Sequence, residues 1–293
     1  AVIYRYGKAI GDLNLMAEGA YINSNMSETI RYSAWYGLNR VMSNIVIFDE
    51  LKTFKQLPKC ERDVWFDGIE VILAREFEEY GKGLFLAAKG GHNDESHNHN
   101  DVGSFIIYDN GRPLIIDVGV GVYTAKTFSP NRYEIWTMRS GCHNLPIVGG
   151  FEQSIGREYS AKAVSCNIDD NTANLKLDIC DAYPKEANIL KCERAFVLDR
   201  QNSCVEITED FNFNCEQSIT LVFMTHAKPE ISDNGVTILG RKLTATGARF
   251  EISVEVINTD DEILFKSWGD YVYRVTFNSR DILSSGNIKF VLK

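Results

Sequence analysis

The feature that most constrains the fold is a series of short apolar runs that continues from residue 59 to the end of the chain. Each run is rich in β-branched or aromatic residues and is bounded by Gly, Asn or Asp, which is typical of β-strands. No helical segment is predicted between the later runs, which follow one another at the spacing of a β-sandwich, so a parallel sheet with crossover helices is disfavoured. The predicted strands cover residues 69–74, 84–88, 104–108, 114–116, 173–180, 191–198, 204–212, 217–224, 248–256, 271–277 and 287–292.

Two turn sequences indicate that neighbouring strands pair antiparallel. Asp109-Asn110-Gly111 lies between two apolar runs, and Asp-Asn-Gly recurs at residues 233–235. Asn and Gly accept the positive φ of a tight hairpin turn. The predicted fold class is therefore mainly β, a large antiparallel β-sandwich preceded by a short α-helical segment.

The first 58 residues have a helical rather than a β pattern. Apolar residues from Ile30 to Ile45 recur at spacings of three and four, and polar residues just before them can cap the start of this helix. Another helix is expected around Ile10–Ala17. The sequence thus predicts the end of an α-helical domain over residues 1–58 and a β domain over residues 59–293.

Composition limits the classes of function. The net charge of -9 argues against general nucleic-acid binding, which needs basic surface to displace counterions from phosphates. Neither a membrane span nor a signal peptide is predicted, because the chain has no run of about 18 apolar residues and no apolar segment after its first basic residues. Seven cysteines without a Cys-x-x-Cys pair favour free thiols. This pattern favours the cytoplasm slightly over the periplasm or secretion.

The chemistry is predicted to lie in Gly-Gly-His-Asn-Asp-Glu-Ser-His-Asn-His-Asn-Asp at residues 90–101, which holds three of the five histidines. In an extended strand, residues i and i+2 project from the same face. His97 and His99 are therefore expected to point into one cavity, with Asp101 on the same side. Such a group suits a metal ion or a proton-transfer site.

Two further residues extend this group. Asp117 ends the strand after the first predicted hairpin, and His143 lies in Ser-Gly-Cys-His-Asn-Leu-Pro. A buried carboxylate must be paired or bound to a cation, because an isolated buried charge is costly. Two histidines and one carboxylate can form a tetrahedral zinc shell with one open position. The residues alone leave a structural alternative open, in which each histidine caps a loop and Asp117 accepts backbone hydrogen bonds.

A cupin-like metal enzyme is one alternative to test against these motifs. The spacing from Gly91 to His97 and His99 reproduces the start of the cupin metal motif. The glutamate that the motif then requires is replaced by Gly103 and Ser104. The cupin alternative is therefore minor, and it would place both histidines on one iron or manganese ion.

The motifs and their order resemble the heparinase II/III-like family of polysaccharide lyases. The resemblance rests on Gly-Gly-His-Asn-Asp-Glu-Ser-His-Asn-His-Asn-Asp-Val-Gly-Ser-Phe, then Asp-Asn-Gly-Arg-Pro-Leu-Ile-Ile-Asp-Val-Gly, Tyr-Glu-Ile-Trp-Thr and His-Asn, all within residues 60–155. It implies an incomplete α/α toroid, of which residues 1–58 are the tail, followed by a large antiparallel β-sandwich. It also implies cleavage of a uronic-acid glycan, such as a glycosaminoglycan or alginate, by β-elimination.

The resemblance further implies different roles for neighbouring residues. His97 would face the substrate and assist proton transfer, while His99, Asp117 and His143 would hold a structural zinc ion. This division is physically reasonable, because a metal-bound neighbour fixes the chain and leaves the unligated imidazole available for acid–base work.

Four residues between these motifs are predicted to contact the substrate. Arg132 and Arg139 flank Trp136, and an arginine fork beside an aromatic face suits a carboxylate-bearing or sulfated sugar. Tyr123 is included because it resembles a cleft position of the family. The alternatives are two solvated loop arginines and a tyrosine that serves packing.

The predicted function is a fragment of a polysaccharide lyase that acts on an acidic polysaccharide, without nucleic-acid or membrane partners. In the family, the tyrosine that acts as base and acid and the group that neutralises the substrate carboxylate lie on the toroid, far upstream of the His-x-His motif. Only 96 residues precede His97 here, so the chain is expected to lack half of the active site, and neither Tyr21 nor Tyr36 is assigned as the base. A non-catalytic glycan-binding or scaffolding domain is the alternative. A homo-oligomer is compatible with the sequence.

Overall fold

The computed structural model describes residues 1–25, 42 and 45–293. The helix predicted from Ile30 to Ile45 lies outside the described residues except for Met42 and Ile45, and Tyr36 lies outside them as well. The assignment of the first 58 residues to the tail of a toroid stays a prediction. The described chain divides into two compact units, Ala1–Glu61 with Glu78–Tyr80 and Arg62–Phe77 with Gly81–Lys293.

The first unit contains the helices α1 Val2–Ile10, α2 Leu13–Asn25 and α3 Phe48–Thr53. Between the first two, Gly11 has a left-handed φ of 75° and ends α1. The helix expected around Ile10–Ala17 is therefore wrong in its bounds, because a left-handed glycine stops one helix before the next begins. None of the described helices is long and apolar enough to cross a membrane.

The second unit consists of antiparallel sheets. Five strands form one sheet, eight form the largest, four form a third, and two short strands pair separately. In chain order the strands are β1 Asp63–Phe66, β2 Val71–Arg75, β3 Leu84–Lys89, β4 His92–Asn93, β5 Phe105–Asp109, β6 Arg112–Ile115, β7 Pro146–Val148, β8 Gly156–Ser160, β9 Lys162–Ile168, β10 Thr172–Asp178, β11 Ile189–Asp199, β12 Cys204–Gln217, β13 Ile219–Thr225, β14 Glu230–Ser232, β15 Gly235–Ile238, β16 Arg241–Thr246, β17 Phe250–Asn258, β18 Tyr271–Ser279 and β19 Leu283–Leu292. The sheet orders are β1-β2-β3-β5-β6, β14-β15-β16-β19-β12-β11-β10-β9, β17-β18-β13-β7 and β4-β8.

Alternating burial along the strands builds one large core. In β11 every second residue from Cys192 to Leu198 is buried, as expected for a strand with one face against a core. The ring of Phe223 on β13 lies 5.6 Å from that of Phe277 on β18 and 4.9 Å from that of Phe290 on β19. Side chains of the four-stranded and eight-stranded sheets thus meet in a shared interior. The predicted fold class, a mainly β antiparallel sandwich, is confirmed.

The two predicted hairpin turns have different structures. Asn110 and Gly111 have φ of 49° and 74° and join β5 to β6, as predicted. Gly235 instead lies in β15 without a positive φ, and the two residues before it form the turn. A Cβ at Gly235 would lie 2.0 Å from the carbonyl oxygen of Leu243. The second glycine is therefore needed for the close approach of two strands.

The fourth helix among the described residues, α4 Glu262–Trp268, lies between β17 and β18. The expectation that no helix separates the later strands is wrong at this point. Asp261 caps the helix, because one of its carboxylate oxygens accepts hydrogen bonds from the backbone N–H groups of Ile263 and Leu264. The helix is short, so its apolar periodicity is too brief to separate it from a strand in the sequence.

All seven cysteines are free thiols. Cys180, Cys192 and Cys204 are buried. Burial raises the pKa of Cys192 well above its ordinary value, so this thiol stays neutral. The buried cysteines therefore contribute packing rather than covalent crosslinks.

Candidate metal centre and substrate surface

The connection between β4 and β5 carries the two histidines of the His-x-His motif. His97 has a φ of 60°, lies in a turn and is exposed, whereas His99 is half-buried. The expectation of an extended strand with both imidazoles on one face is therefore wrong. A left-handed residue changes the direction of the chain, and the two imidazoles have different surroundings.

Four side chains converge near His99. One potential ligand atom from each of His99, Asp101, Asp117 and His143 lies within 4.8 Å of the others. The first two come from the β4–β5 connection, Asp117 follows β6, and His143 follows a single 3₁₀ turn. The rings of His99 and His143 are 5.1 Å apart. The three predicted metal ligands are thus close together in space, and Asp101 supplies a fourth donor.

His143 is oriented as a metal ligand would be. Its Nε2 lies 3.1 Å from the carbonyl oxygen of Thr137, and a carbonyl can only accept, so Nε2 carries the proton. Its Nδ1 is then a lone-pair donor. This atom is 3.2 Å from Asp117 Oδ2, but an unprotonated nitrogen cannot donate to a carboxylate oxygen, and Nδ1 has no hydrogen-bond partner among the described residues. A buried nitrogen lone pair beside a carboxylate is a place for a cation.

The pKa shifts of Asp117 and His143 favour a positive charge beside the Asp117 carboxylate. Burial acts to raise the pKa of Asp117, but His143, His99 and the backbone N–H of Gly119 lower it well below its ordinary value. Burial acts to lower the pKa of His143, but Asp117 raises it. The pKa of His99 is lowered, mainly by burial and then by His143. A proton or a metal ion can supply the positive charge that Asp117 favours.

The donor set fits zinc. Imidazole nitrogens and carboxylate oxygens are both common zinc ligands, and structural or catalytic sites use three or four of them. Two of the donors are buried, and the pair formed by His143 and Thr137 is the support that metal-binding histidines usually have. His99, Asp117 and His143 can therefore hold a zinc ion. Asp101 is also bound to Lys89, with 2.9 Å between Nζ and Oδ1.

His97 forms an exposed aromatic surface with two neighbouring rings. The ring of Tyr123 is 6.1 Å from that of His97 and stacks on Phe128 at 5.5 Å. Tyr123 is 43% exposed and Phe128 is 69% exposed. We call His97, Tyr123 and Phe128 the aromatic surface. Phe128 was not predicted as a site residue, because a single Phe in a loop gives no signal in the sequence.

Residues 71–286 match the family described as heparinase II/III-like, C-terminal. The match covers most of the chain and includes all four residues of the candidate metal site, His99, Asp101, Asp117 and His143. The chain belongs to the heparinase II/III-like C-terminal family. No curated protein matches the chain.

Solved structures of heparinases share the fold of this heparinase II/III-like domain. A heparinase III gene product matches with a TM-score of 0.62 and 17% identity, over 89% of this chain and 40% of that protein. The heparan sulfate lyase HepC from Pedobacter heparinus matches with a TM-score of 0.63 and 14% identity, again over 89% and 40%. The chain thus spans about two fifths of the length of these structures.

In the heparinase II/III-like domain, hydrogen bonds from Asn144 connect the segments around the candidate metal site. Its side-chain amide donates to the carbonyl oxygens of Phe105 at 2.6 Å and Ile116 at 3.0 Å. Its side-chain oxygen accepts from the backbone N–H of Met224 at 2.7 Å. Because Asn144 follows His143 and Ile116 precedes Asp117, one buried amide fixes two of the candidate ligands. Its position after His143 was the only sequence signal for this role.

A buried ion pair lies behind the same region. Arg194 on β11 and Glu209 on β12 are each 1% exposed, with 2.6 Å between Nη2 and Oε1. Arg194 Nη1 also donates to the carbonyl oxygens of Gly103 at 2.8 Å and Asn144 at 2.9 Å. The guanidinium therefore links the eight-stranded sheet to two of the three loops that carry the candidate ligands.

Arg132 supports the His-x-His segment. Its Nε and Nη2 donate to the carbonyl oxygen of Asn98 at 3.2 and 2.8 Å, and its Nη1 donates to that of Thr127 at 2.9 Å. The hydroxyl of Tyr133 donates to the side-chain oxygen of Asn98 at 2.9 Å. Asn98 lies between His97 and His99, so these contacts hold the turn that separates the two imidazoles.

The remaining predicted substrate residues have mixed surroundings. Arg139 is exposed and its guanidinium is paired with Glu152. Trp136 is half-buried and packs against the apolar cluster that contains Ile116 and Val118. Substrate contact by Arg132, Trp136 and Arg139 stays a prediction. Tyr123 is the one of the four for which a ring contact with His97 is found among the described residues.

Replacing His143 with alanine is expected to weaken zinc binding by about 100-fold, because residues that only support a ligand already contribute 10- to 100-fold. The measurement is zinc affinity by competition with a chelator, together with zinc content of the purified protein. His92→Ala is the matched control, since His92 is a half-buried histidine outside the cluster. Equal zinc affinity in the His143 variant and the unmodified protein would contradict the assignment.

Proposed function

We propose that this chain is the β-sandwich part of a polysaccharide lyase that cleaves a uronic-acid-containing acidic polysaccharide by β-elimination. The observation that carries the proposal is the cluster of His99, Asp117 and His143 next to an exposed His97, in a chain that belongs to the heparinase II/III-like C-terminal family. The separation of the histidines supports different roles. His99 would serve the metal ion and His97 the substrate.

β-Elimination at a uronate needs three groups. One neutralises the carboxylate and so acidifies the C5 proton, a base removes that proton, and an acid protonates O4 as the C4–O4 bond breaks and the C4–C5 double bond forms. His97 is the residue of this chain that we assign to proton handling, because its imidazole is exposed and none of the described residues forms a hydrogen bond with it. We propose that the tyrosine base and the carboxylate neutraliser come from outside this chain.

His99, Asp117 and His143 would hold the zinc ion, and the ion would supply a fixed positive charge that orders the loops carrying its ligands. These loops also carry His97 and lead to Tyr123. Arg132 and Asn144 hold the same loops through hydrogen bonds to backbone groups. In this proposal the metal is structural, and the exposed imidazole contacts the substrate.

Tyr123 and Phe128 are proposed to form the sugar-contacting part of the site. Pyranose rings have apolar C–H faces that pack on aromatic rings, and exposed aromatic side chains mark binding surfaces. We propose that Arg132 also supports this part of the site, because its guanidinium donates to the carbonyl oxygens of Thr127 and Asn98. The glycan would therefore lie over the aromatic surface with its reacting unit at His97.

The test is an assay of the protein as it occurs, including any sequence that flanks this chain, on a panel of uronate glycans with zinc present. The panel contains sulfated and unsulfated glycosaminoglycans and alginate, and a neutral glucan is the control. We expect the ultraviolet absorbance of the unsaturated product to rise with at least one acidic glycan and to stay constant with the glucan. Constant absorbance across the whole panel would contradict the lyase proposal.

A glycan-binding domain without catalysis is the second candidate, and the exposed aromatic surface is the observation that favours it. In that case calorimetry would show binding heat with acidic oligosaccharides while the lyase assay stays negative. Absence of both signals would leave only a structural role. The cupin alternative requires His97 and His99 on one metal, but the described cluster contains His99 without His97, and the family membership favours a lyase.

A further inference from the structure

We propose that α4 braces the loop between Asp117 and Tyr123, with Asp261 and Trp268 as positioning residues for both the metal cluster and the aromatic surface. The inference rests on the proposed function, because it concerns the same two sites. Residues 116–125 contain neither helix nor strand, yet they carry a candidate ligand near one end and a surface aromatic near the other. Such a loop needs support from outside itself to hold two side chains in place.

Two hydrogen bonds connect α4 to this loop. Trp268 Nε1 donates to the carbonyl oxygen of Val118 at 2.9 Å, one residue after Asp117. The backbone N–H of Val122, one residue before Tyr123, donates to Asp261 Oδ2 at 2.6 Å. Each bond thus lies next to one of the two functional residues. The partners are about 140 to 150 residues apart in the sequence.

Asp261 connects the loop to the first turn of the helix. Its Oδ1 accepts a hydrogen bond from the backbone N–H of Ile263 at 2.8 Å, while its Oδ2 accepts one from the backbone N–H of Val122 in the loop. Partial burial acts to raise the pKa of Asp261, but the backbone N–H groups of Val122, Ile263 and Leu264 lower it. The carboxylate therefore stays ionised and keeps both sets of bonds.

Gly121 of the loop lies against this carboxylate. A Cβ at Gly121 would lie 2.5 Å from Asp261 Oδ2 and 2.7 Å from its carboxyl carbon. A side chain at this position would therefore push the Asp261 carboxylate away from the loop. The Val-Gly-Val-Gly sequence after Asp117 therefore has a structural reason that the local turn alone does not provide.

Trp268 is itself held by neighbouring side chains. It packs in the apolar cluster that contains Val118 and Leu264. The ring of His226 stacks beside it, with centroids 5.8 Å apart and planes 22° apart. These contacts hold the indole N–H in place as a donor. A shift of the Val118 carbonyl would break its hydrogen bond with Trp268. Asp117 also accepts from the backbone N–H of Gly119 at 2.7 Å, so a shift of this backbone would move the carboxylate.

The test uses Trp268→Phe and Asp261→Asn. Phenylalanine keeps an aromatic ring in the apolar cluster but removes the N–H donor and part of the indole volume, and asparagine keeps one acceptor for the helix cap while losing the second. We expect the dissociation constant for zinc to rise about tenfold in each variant, as for other residues that support a metal ligand. We also expect faster hydrogen exchange of the backbone amides of residues 118–124. All measurements are made well below the unfolding temperature of each variant.

Glu262→Gln is the matched control, because Glu262 is an exposed residue of the same helix and is expected to change zinc affinity by less than about twofold. Lower thermal stability with unchanged zinc affinity and unchanged exchange in the loop would mean that α4 serves folding alone, and the inference would be wrong. If the unmodified protein binds no zinc, the proposed metal site fails. The support of the loop by α4 is then tested by hydrogen exchange alone. Unchanged exchange rates of the amides of residues 118–124 in both variants would overturn it.

Discussion

Replacing His97 with asparagine is expected to lower the lyase rate of the protein as it occurs by about 10²- to 10⁴-fold, the usual contribution of a positioned acid–base residue. Asparagine tolerates the left-handed φ of 60° at this position better than alanine does, so the turn is preserved. The side chain is exposed, and its removal leaves no cavity. The measurement is kcat and KM on the glycan that gives the largest rate.

Comparing the effect on kcat with the effect on KM separates a role in proton transfer from a role in substrate binding. If His97 handles a proton in the transition state, kcat falls and KM changes little. If His97 only contacts the sugar, KM rises and kcat is kept. His92→Asn is the matched control, because His92 lies five residues earlier and outside the metal cluster. A rate within about threefold of the unmodified protein would contradict a role in proton transfer, since that role requires at least about 10²-fold.

Replacing Arg194 with methionine is expected to lower the free energy of unfolding by about 3–5 kcal/mol, the range for breaking a buried ion pair. The change would leave Glu209 buried without its partner and would remove the donors to the carbonyl oxygens of Gly103 and Asn144. The measurement is chemical denaturation at neutral pH. Lys191→Met is the control, because Lys191 pairs with Asp210 at the surface and such pairs contribute about 0–1 kcal/mol.

Two further observations test the cause of this loss. Replacing both Arg194 with methionine and Glu209 with leucine should recover much of the stability, because no buried charge then remains. Lowering the pH should also narrow the deficit of the single variant. In the unmodified protein burial raises the pKa of Glu209 while Arg194 opposes that rise. Without Arg194 the pKa of Glu209 in the folded variant is raised further, so the variant gains more stability than the unmodified protein as the pH falls through that pKa. If the variant loses the same free energy of unfolding at all pH values, the loss comes from packing and not from the buried charge of Glu209.

The sequence predicts the sandwich well because its strands obey a simple rule of alternation. In β11 the buried residues Cys192, Phe196 and Leu198 share one face, and any such pattern predicts a half-buried strand. Arg194 lies on that same face, and a charged residue among alternate apolar residues was an available signal of a buried pair. Its partner Glu209 could not be identified, because the register between β11 and β12 is a property of the folded sheet.

The candidate site was predicted less completely. Residues 99, 117 and 143 were grouped through a family resemblance, and spacing alone gives no reason for three separate loops to converge. His97 and His99 were expected on one face because the local sequence permits a strand, but the turn at His97 is fixed by contacts to Asn98 from Arg132, 34 residues away. The brace by Trp268 depends on a contact over 150 residues. Such long-range contacts decide geometry that local patterns cannot encode.

The central claim is that His99, Asp117 and His143 share one cation while His97 stays free to face a glycan. Crystals grown with zinc and measured at the zinc absorption edge test it most directly. We predict one anomalous peak per chain at about 2.0–2.2 Å from a nitrogen of each histidine in the cluster and from an oxygen of Asp117. A peak that includes His97 in the shell, or no peak among these three side chains, would contradict the account.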